Sequence, residues 1–210
     1  MTDKRTVWGV GTSRTIRAHW ALIELGLDYE TQPIRPRTPG MDDAAFVAIN
    51  PRKKVPVLQD GTLTISESPA IVSYLAERYS TDTTRLIPEA IEDRARYFEW
   101  QSFITMELDA TSLYVLRRHV DLPSIYGEAS VAVDTARAYF ERMIGAAAPD
   151  VAAGGQYLLG DTFSGVDILM QSCLFFAERY KLDLPREIID YRERVTARPG
   201  YAKALAANNP

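Results

Sequence analysis

Hydrophobic patterning changes once along the chain, near residue 80, and that change is the strongest constraint on what it can fold into. Up to there, short β-branched or aromatic runs alternate with stretches of helical period. Beyond it the periodicity is almost wholly helical. A chain of 210 residues lies between one and two domains by length, and the switch argues for two. The expected division is an α/β domain over residues 1–80, a linker over 81–90 and an all-α domain over 91–210. The linker segment, Ser80-Thr-Asp-Thr-Thr-Arg-Leu-Ile-Pro88, is polar and closed by a proline. No internal repeat or low-complexity tract interrupts either part.

Within the first part the elements read β-α-β-α-β-β-α. Thr6–Val10 has strand composition, and Gly11-Thr12-Ser13 is a small polar turn. Arg14–Leu25 then carries Ile16, Trp20, Ile23 and Leu27 on one side, with Gly26 as the stop. Tyr29–Ile34 alternates as a second strand, and Asp42–Ile49 is a short helix after the Pro/Arg-rich loop Arg35–Gly40. Lys54–Leu58, the turn Asp60-Gly61 and Thr62–Ile65 read as a hairpin. Ser68 is placed as an N-cap with Pro69 at N1, opening a helix to Tyr79. Pro56 breaks the local rule, because proline removes a donor from a strand ladder. Either it lies at a sheet edge or the Val55-Pro56 bond is cis and bends the backbone sharply. The residues alone leave both open.

Composition excludes several classes. Lys+Arg 24 against Asp+Glu 28 gives a net charge of −4, which offers no basic footprint for nucleic acid. No apolar run reaches membrane-spanning length, and the N-terminus lacks a stretch of signal-peptide length, which points to the cytoplasm. One cysteine, Cys173, allows no internal disulfide and no all-cysteine metal site. His19 and His119 are the only histidines, so no metal is expected. His19, set among apolar helix residues, reads as a satisfied core or boundary histidine and is assigned no role.

The ordered pieces Ser13-Arg14-x-x-Arg17-x-x-Trp20-x-Leu22-x-Glu24-Leu25-Gly26-Leu27-x-Tyr29-Glu30, Asn50-Pro51-x-x-Lys54-Val55-Pro56-Val57-Leu58 and Glu67-Ser68-x-Ala70-Ile71-x-x-Tyr74-Leu75 resemble the cytosolic glutathione transferases. Phe163-Ser164-x-x-Asp167-Ile168 is similar to that family's helix-capping motif. The likeness spans nearly the whole chain and implies a thioredoxin-like first domain, an all-helical second domain and a cis Val55-Pro56 bond. It further implies glutathione as co-substrate, a two-fold homodimer and a role in detoxification.

A glutathione enzyme must hold an anionic tripeptide and form a thiolate near pH 7 from a thiol whose ordinary pKa is about 8.5. The resemblance implies that Ser68, at a helix N-terminus, grips the γ-glutamyl carboxylate while Glu67 takes the ammonium. It implies that the Val55 backbone, beside Pro56, pairs with the cysteinyl segment as an added strand does, with Lys54 near the glycyl carboxylate. Arg35, Arg37 and Lys53 are weaker candidates of that kind. Arg14 and Arg17 are candidate electrostatic helpers, although arginine in a first helical turn is more often a surface or interface charge. A hydroxyl in the turn before the first helix would donate to sulfur and favour the thiolate. Ser13 fits the pattern, and Thr12 is its rival one residue away. Neither a cysteine nor a tyrosine stands at that turn, leaving a serine-type, bacterial-like transferase.

In the second part, Ile91 to Leu116 reads as one long, bent helix and Ser124–Ile144 as another. Ser164 and Asp167 form a capping-box pair opening a buried helix through Arg179, with Cys173 a small core residue inside it. By family likeness the first long helix walls a hydrophobic electrophile site, for which Phe103, Met106 and Tyr114 are candidates. The leading expectation is transfer of glutathione sulfur to an electrophilic carbon, with isomerisation, dehalogenation and peroxide reduction as variants on the same thiolate. The alternative is a transferase-like binding or stress-regulatory protein without turnover.

Overall fold

The structure, a computed structural model, describes residues 4–210 and resolves them into two compact units, residues 4–87 with 198–210, and residues 88–197. In the first unit, β1 (Arg5–Trp8) leads into α1 (Thr15–Glu24), which crosses to β2 (Glu30–Gln32), parallel to β1. A short 3₁₀ turn (Pro39–Asp42) and α2 (Ala44–Ile49) follow, with Asp43 capping α2 by accepting from the Ala45 amide at 2.8 Å. β3 (Val57–Asp60) and β4 (Leu63–Ser66) complete a four-stranded sheet in the order β2-β1-β3-β4, with β1–β3 and β3–β4 antiparallel. α3 (Ser68–Tyr79) begins one residue after β4 ends. Its far end is tied to β3, where Tyr74 and Tyr79 both donate to the Asp60 carboxylate. This is the thioredoxin-like α/β arrangement expected.

Eight consecutive residues of α1, Thr15 to Leu22, are buried. A helix lying on a sheet buries one face, so something must cover the other. That cover is α10 (Pro199–Asn208), which packs along α1. Trp20 and Tyr201 meet with ring centroids 5.0 Å apart, and Arg198 grips Glu24 through two hydrogen bonds of 3.2 and 2.6 Å. Residues 198–210, expected in the helical domain, therefore belong with the first unit. The linker expectation also shifts, because Leu86 and Ile87 are buried and the boundary falls at Ile87/Pro88.

Local differences have local causes. β3 starts at Val57, leaving Lys54 to Pro56 outside the ladder, and the Val55-Pro56 bond is cis. Asp60 pairs with Leu63, so the hairpin turn is Gly61-Thr62, one residue later than expected.

The second unit is helical throughout. α4 (Ile91–Phe103) continues without a break through a π-helical stretch (Ile104–Leu113), the turn α5 (Tyr114–Leu116) and a second π-helical stretch (Arg117–Asp121). Within the first π-helical stretch the Ser112 side-chain hydroxyl also donates to the carbonyl of Glu107, five residues back. After α6 (Pro123–Tyr126), α7 runs Ser130–Ala153 with Pro149 inside it. The expected helix over 124–144 is thus split at its start and extended at its end. α8 (Gly165–Arg179) is the core element, with twelve of its fifteen residues buried, Cys173 among them. α9 (Arg186–Thr196) completes the unit. No helix among the described residues is long and apolar enough to cross a membrane.

Candidate functional site

Strand register determines which segments meet. Trp8 at the end of β1 pairs with Val57 at the start of β3, and Val57 pairs with Ser66 at the end of β4. The segments just beyond these three residues therefore emerge at one end of the sheet. They are the turn Gly9–Ser13, the Lys54-Val55-Pro56 segment and Glu67-Ser68. Sequence-expected residues from three separate motifs converge there.

The turn is held at every step. Gly9 donates to the carbonyl of Gln32 at 2.9 Å and Val10 to that of Ile34 at 3.0 Å. Gly9 (φ +119) lies so close to the next segment that a Cβ on it would sit 2.5 Å from Val55 Cβ. Only a residue without a side chain permits that approach. The His19 ring braces the turn from behind: Nε2 lies 3.1 Å from the Gly9 carbonyl and Nδ1 3.0 Å from the Tyr29 hydroxyl. The carbonyl can only accept, so Nε2 carries the proton and Nδ1 accepts from Tyr29. Burial holds the imidazole below its usual pKa, opposed in part by the Gly9 bond, and pushes the Tyr29 phenol up to about 12.

Thr12 and Thr15 cap α1 reciprocally. Thr12 Oγ1 accepts from the amides of Arg14 (3.2 Å) and Thr15 (3.0 Å), while Thr15 Oγ1 accepts from the amide of Thr12 (2.9 Å). This is a capping box with threonine in the place usually held by Glu or Gln. It engages the Thr12 hydroxyl with the helix. Ser13, the next residue, is half-buried, and its hydroxyl has no partner among the described residues.

At the start of α3, Ser68 is buried and is the first helical residue, not the cap expected from sequence. The cap position belongs to Glu67, whose φ of 72° is left-handed and unusual for a side chain of that kind. Its exposed carboxylate lies 3.8 Å from Arg52. The Ser68 hydroxyl accepts from Arg17 Nη1 at 3.1 Å. Arg17 is 1 % exposed, which corrects its reading as a surface or interface charge. A buried guanidinium beneath a helix N-terminus concentrates positive potential where an anion would sit.

Lys54 is exposed, and its carbonyl is fixed by Asn50 Nδ2 at 2.6 Å. Lys53 is taken up by Asp42 at 2.6 Å, while the tip of Arg35 reaches toward Gly11. Asn208 was missed entirely by sequence reasoning. It contacts Gly11, Thr12 and Thr15 from nearly 200 residues away, and nothing local signals it.

The helical candidates stand apart from one another in the second unit. Phe103 lines a cavity of about 500 Å³ with Trp100, Met143, Leu158 and others, and neither Met106 nor Tyr114 lines it. Met106 is exposed, and the Tyr114 ring lies under the Arg118 guanidinium at 4.7 Å. The three do not form one site in this unit.

A thioredoxin-like unit with a cis-proline segment, a capped hydroxyl turn and a cation-backed helix N-terminus, followed by an all-helical unit, defines the glutathione transferase architecture. Residues 13–78 match the family model for the glutathione S-transferase N-terminal domain. A glutathione S-transferase-like protein of Beauveria bassiana is 30% identical over 191 residues, covering 89% of this chain and 81% of that protein. A probable maleylacetoacetate isomerase of Vibrio cholerae is 28% identical over 95% of this chain and 94% of its own length. Among solved structures, the theta class glutathione S-transferase of Xanthomonas axonopodis pv. citri, with glutathione bound, superposes with a TM-score of 0.81 at 27% identity, covering 97% of each chain. The chain belongs to the glutathione S-transferase family.

Proposed function

We propose that this chain binds reduced glutathione at the end of its four-stranded sheet and delivers the thiolate to an electrophilic carbon. What supports the reading is the convergence there of Ser13, Val55-Pro56 and Glu67-Ser68, with Arg17 buried behind Ser68. The γ-glutamyl carboxylate sits at Ser68 and the first turn of α3, facing the positive end of that helix. Glu67 receives the ammonium. The cysteinyl backbone pairs with Val55, and Lys54 faces the glycyl carboxylate.

The chemistry is ionisation of the sulfur. A thiol of pKa about 8.5 is only about 3% ionised at pH 7, and lowering that value by about two units makes roughly three quarters of it thiolate. Ser13 donates its O–H to the sulfur, and the N-terminus of α1 adds a partial positive charge of about half a unit. Thr12 is the weaker candidate, because its hydroxyl has the Thr15 hydroxyl as a partner at 3.0 Å. The thiolate then attacks carbon, the C–S bond forms, and the leaving group departs with its electron pair. Tyr114 is carried forward as a phenol able to donate to that leaving group.

Calorimetric titration with reduced glutathione at neutral pH is expected to give saturable binding of one per chain. Ser13→Ala is expected to lower kcat/KM about 100-fold, the scale of losing one oriented donor. Full activity in both Ser13→Ala and Thr12→Ala would overturn the mechanism, and no binding would favour the non-catalytic reading. Full-length similarity to the isomerase supports a second reaction on the same thiolate. In it, sulfur adds to a conjugated double bond, the resulting single bond rotates, and elimination returns glutathione unconsumed. Following glutathione consumption against product formation separates the two. The active species is a homodimer, expected at twice the 23.5 kDa chain mass in light scattering.

A further inference from the structure

The turn that carries Ser13 lies outside both β1 and α1, and Gly11 within it has φ +81. Besides its local bonds, it is tied to a distant residue at the end of α10. The Asn208 carbonyl accepts from the Gly11 amide at 2.8 Å, and Asn208 Oδ1 lies 3.2 Å from the same amide. Oδ1 also accepts from the Thr15 hydroxyl at 2.6 Å, and Nδ2 donates to the Thr12 carbonyl at 3.1 Å. Asn208 is 4 % exposed and Thr15 is fully buried, so the bond between these two side chains is shielded from water.

The proton order follows from the donors available. Asn208 Oδ1 can only accept, so the single Thr15 proton goes there, over the shortest distance it has. Thr15 Oγ1 is then an acceptor toward both the Thr12 amide and the Thr12 hydroxyl, 3.0 Å away. Nδ2 closes the circuit on the Thr12 carbonyl, which is also the first acceptor of α1 through the Ile16 amide at 3.3 Å. One side chain thus directs both threonine hydroxyls inward and leaves Ser13 as the hydroxyl with an uncommitted proton.

We propose that Asn208 is a positioning residue for the reaction: it clamps Gly11, Thr12 and Thr15 so that Ser13, and not Thr12, is presented to the glutathione sulfur. This rests on the functional reading above. It assigns the end of α10 a part in the chemistry that no neighbouring sequence discloses. Removing the amide frees the Thr15 proton to turn to the Thr12 carbonyl, 3.0 Å away, and loosens the turn. The sulfur then meets a donor of less constrained orientation.

The test titrates the thiolate of bound glutathione by its ultraviolet absorbance in the full chain, for the wild type, Asn208→Ala, Thr15→Val and Glu24→Gln. Glu24→Gln disrupts the docking of α10 on α1 through Arg198. It does so about 14 Å away along α1, at 1.5 Å per residue, without touching the turn. Asn208→Ala is expected to raise the bound thiol pKa by at least about one unit. That corresponds to a roughly fivefold loss of kcat/KM at pH 6.5, where a wild-type thiol lowered by about two units is half ionised, recovering toward wild type above pH 9, where the thiol ionises unaided. Thr15→Val, nearly isosteric, shifts it in the same direction. Glu24→Gln lowers the melting temperature and leaves the thiol pKa unchanged. If Asn208→Ala and Glu24→Gln lower stability alike and neither moves the thiol, Asn208 is structural only and the proposal is overturned. If the wild-type protein binds glutathione with an unshifted thiol, or does not bind it, the functional reading itself fails.

Discussion

His19 shows how one buried side chain ties the site to the core. Both ring nitrogens have partners, Gly9 on one side and Tyr29 on the other, and the ring is fully buried. Burial lowers its folded pKa below the ordinary value of about 6.5, the Gly9 bond opposing part of that shift. Between the two pKa values the unfolded chain binds a proton that the folded chain does not, so stability rises with pH there. The contribution is fully present above about pH 6.5 and is lost as pH falls toward the folded value. Urea unfolding of wild type and His19→Gln at pH 7.5 and pH 5.5 is expected to show the wild-type advantage shrinking at the lower pH. An advantage that is equal at both would contradict a neutral buried ring. Its apolar neighbours made a core or boundary position legible, whereas the burial of Arg17 was not. A cation in a first helical turn ordinarily faces water, and the partner that draws it inward, the Ser68 hydroxyl, lies 51 residues on.

The elements were readable where the cause is local. The capping box of α8 is present as expected: Asp167 Oδ2 accepts from the Ser164 amide at 2.8 Å. The same carboxylate does more than sequence could reveal. Asp167 Oδ1 accepts from the Leu158 amide at 3.0 Å and the Tyr191 hydroxyl at 2.8 Å, joining the loop before α8 and α9 to the core helix. Burial pushes the Asp167 carboxyl above its usual range while these hydrogen bonds pull it back. Asp167→Ala leaves several buried donors without an acceptor and is expected to destabilise by about 3 kcal/mol in urea unfolding. Tyr191→Phe removes one hydroxyl and is expected to cost about 1.5 kcal/mol. Equal, near-zero effects would show the network to be incidental. By contrast, the extension of α7 through Pro149 was hidden, because a proline normally ends a helical pattern. The alanine-rich run before it, with Ala147 and Ala148 buried, and the buried Val151 after it keep the helix going by propensity and packing.

At the scale of the molecule, the chain leaves its first unit at residue 87 and returns to it at residue 198. Four ordered motifs made the α/β-then-helical organisation legible, but a return across 110 residues leaves no periodic trace. The face of α1 that lies under α10 looks, in sequence, like the buried stripe of any amphipathic helix. The consequence is that residues 1–87 alone lack part of their own core. Without α10, Trp20 loses Tyr201 and Glu24 loses Arg198, and uncovering the indole alone costs on the order of 3 kcal/mol. Against a typical domain stability of about 5–15 kcal/mol, that is a large fraction. Residues 1–87 expressed alone are expected to show weak near-ultraviolet circular dichroism, a non-cooperative melt and red-shifted tryptophan fluorescence. The same segment joined through a flexible linker to residues 198–210 is expected to regain a cooperative transition and the blue-shifted emission of a buried indole. If residues 1–87 melt as cooperatively as the joined form, α10 is an accessory to the first unit and not a part of its core.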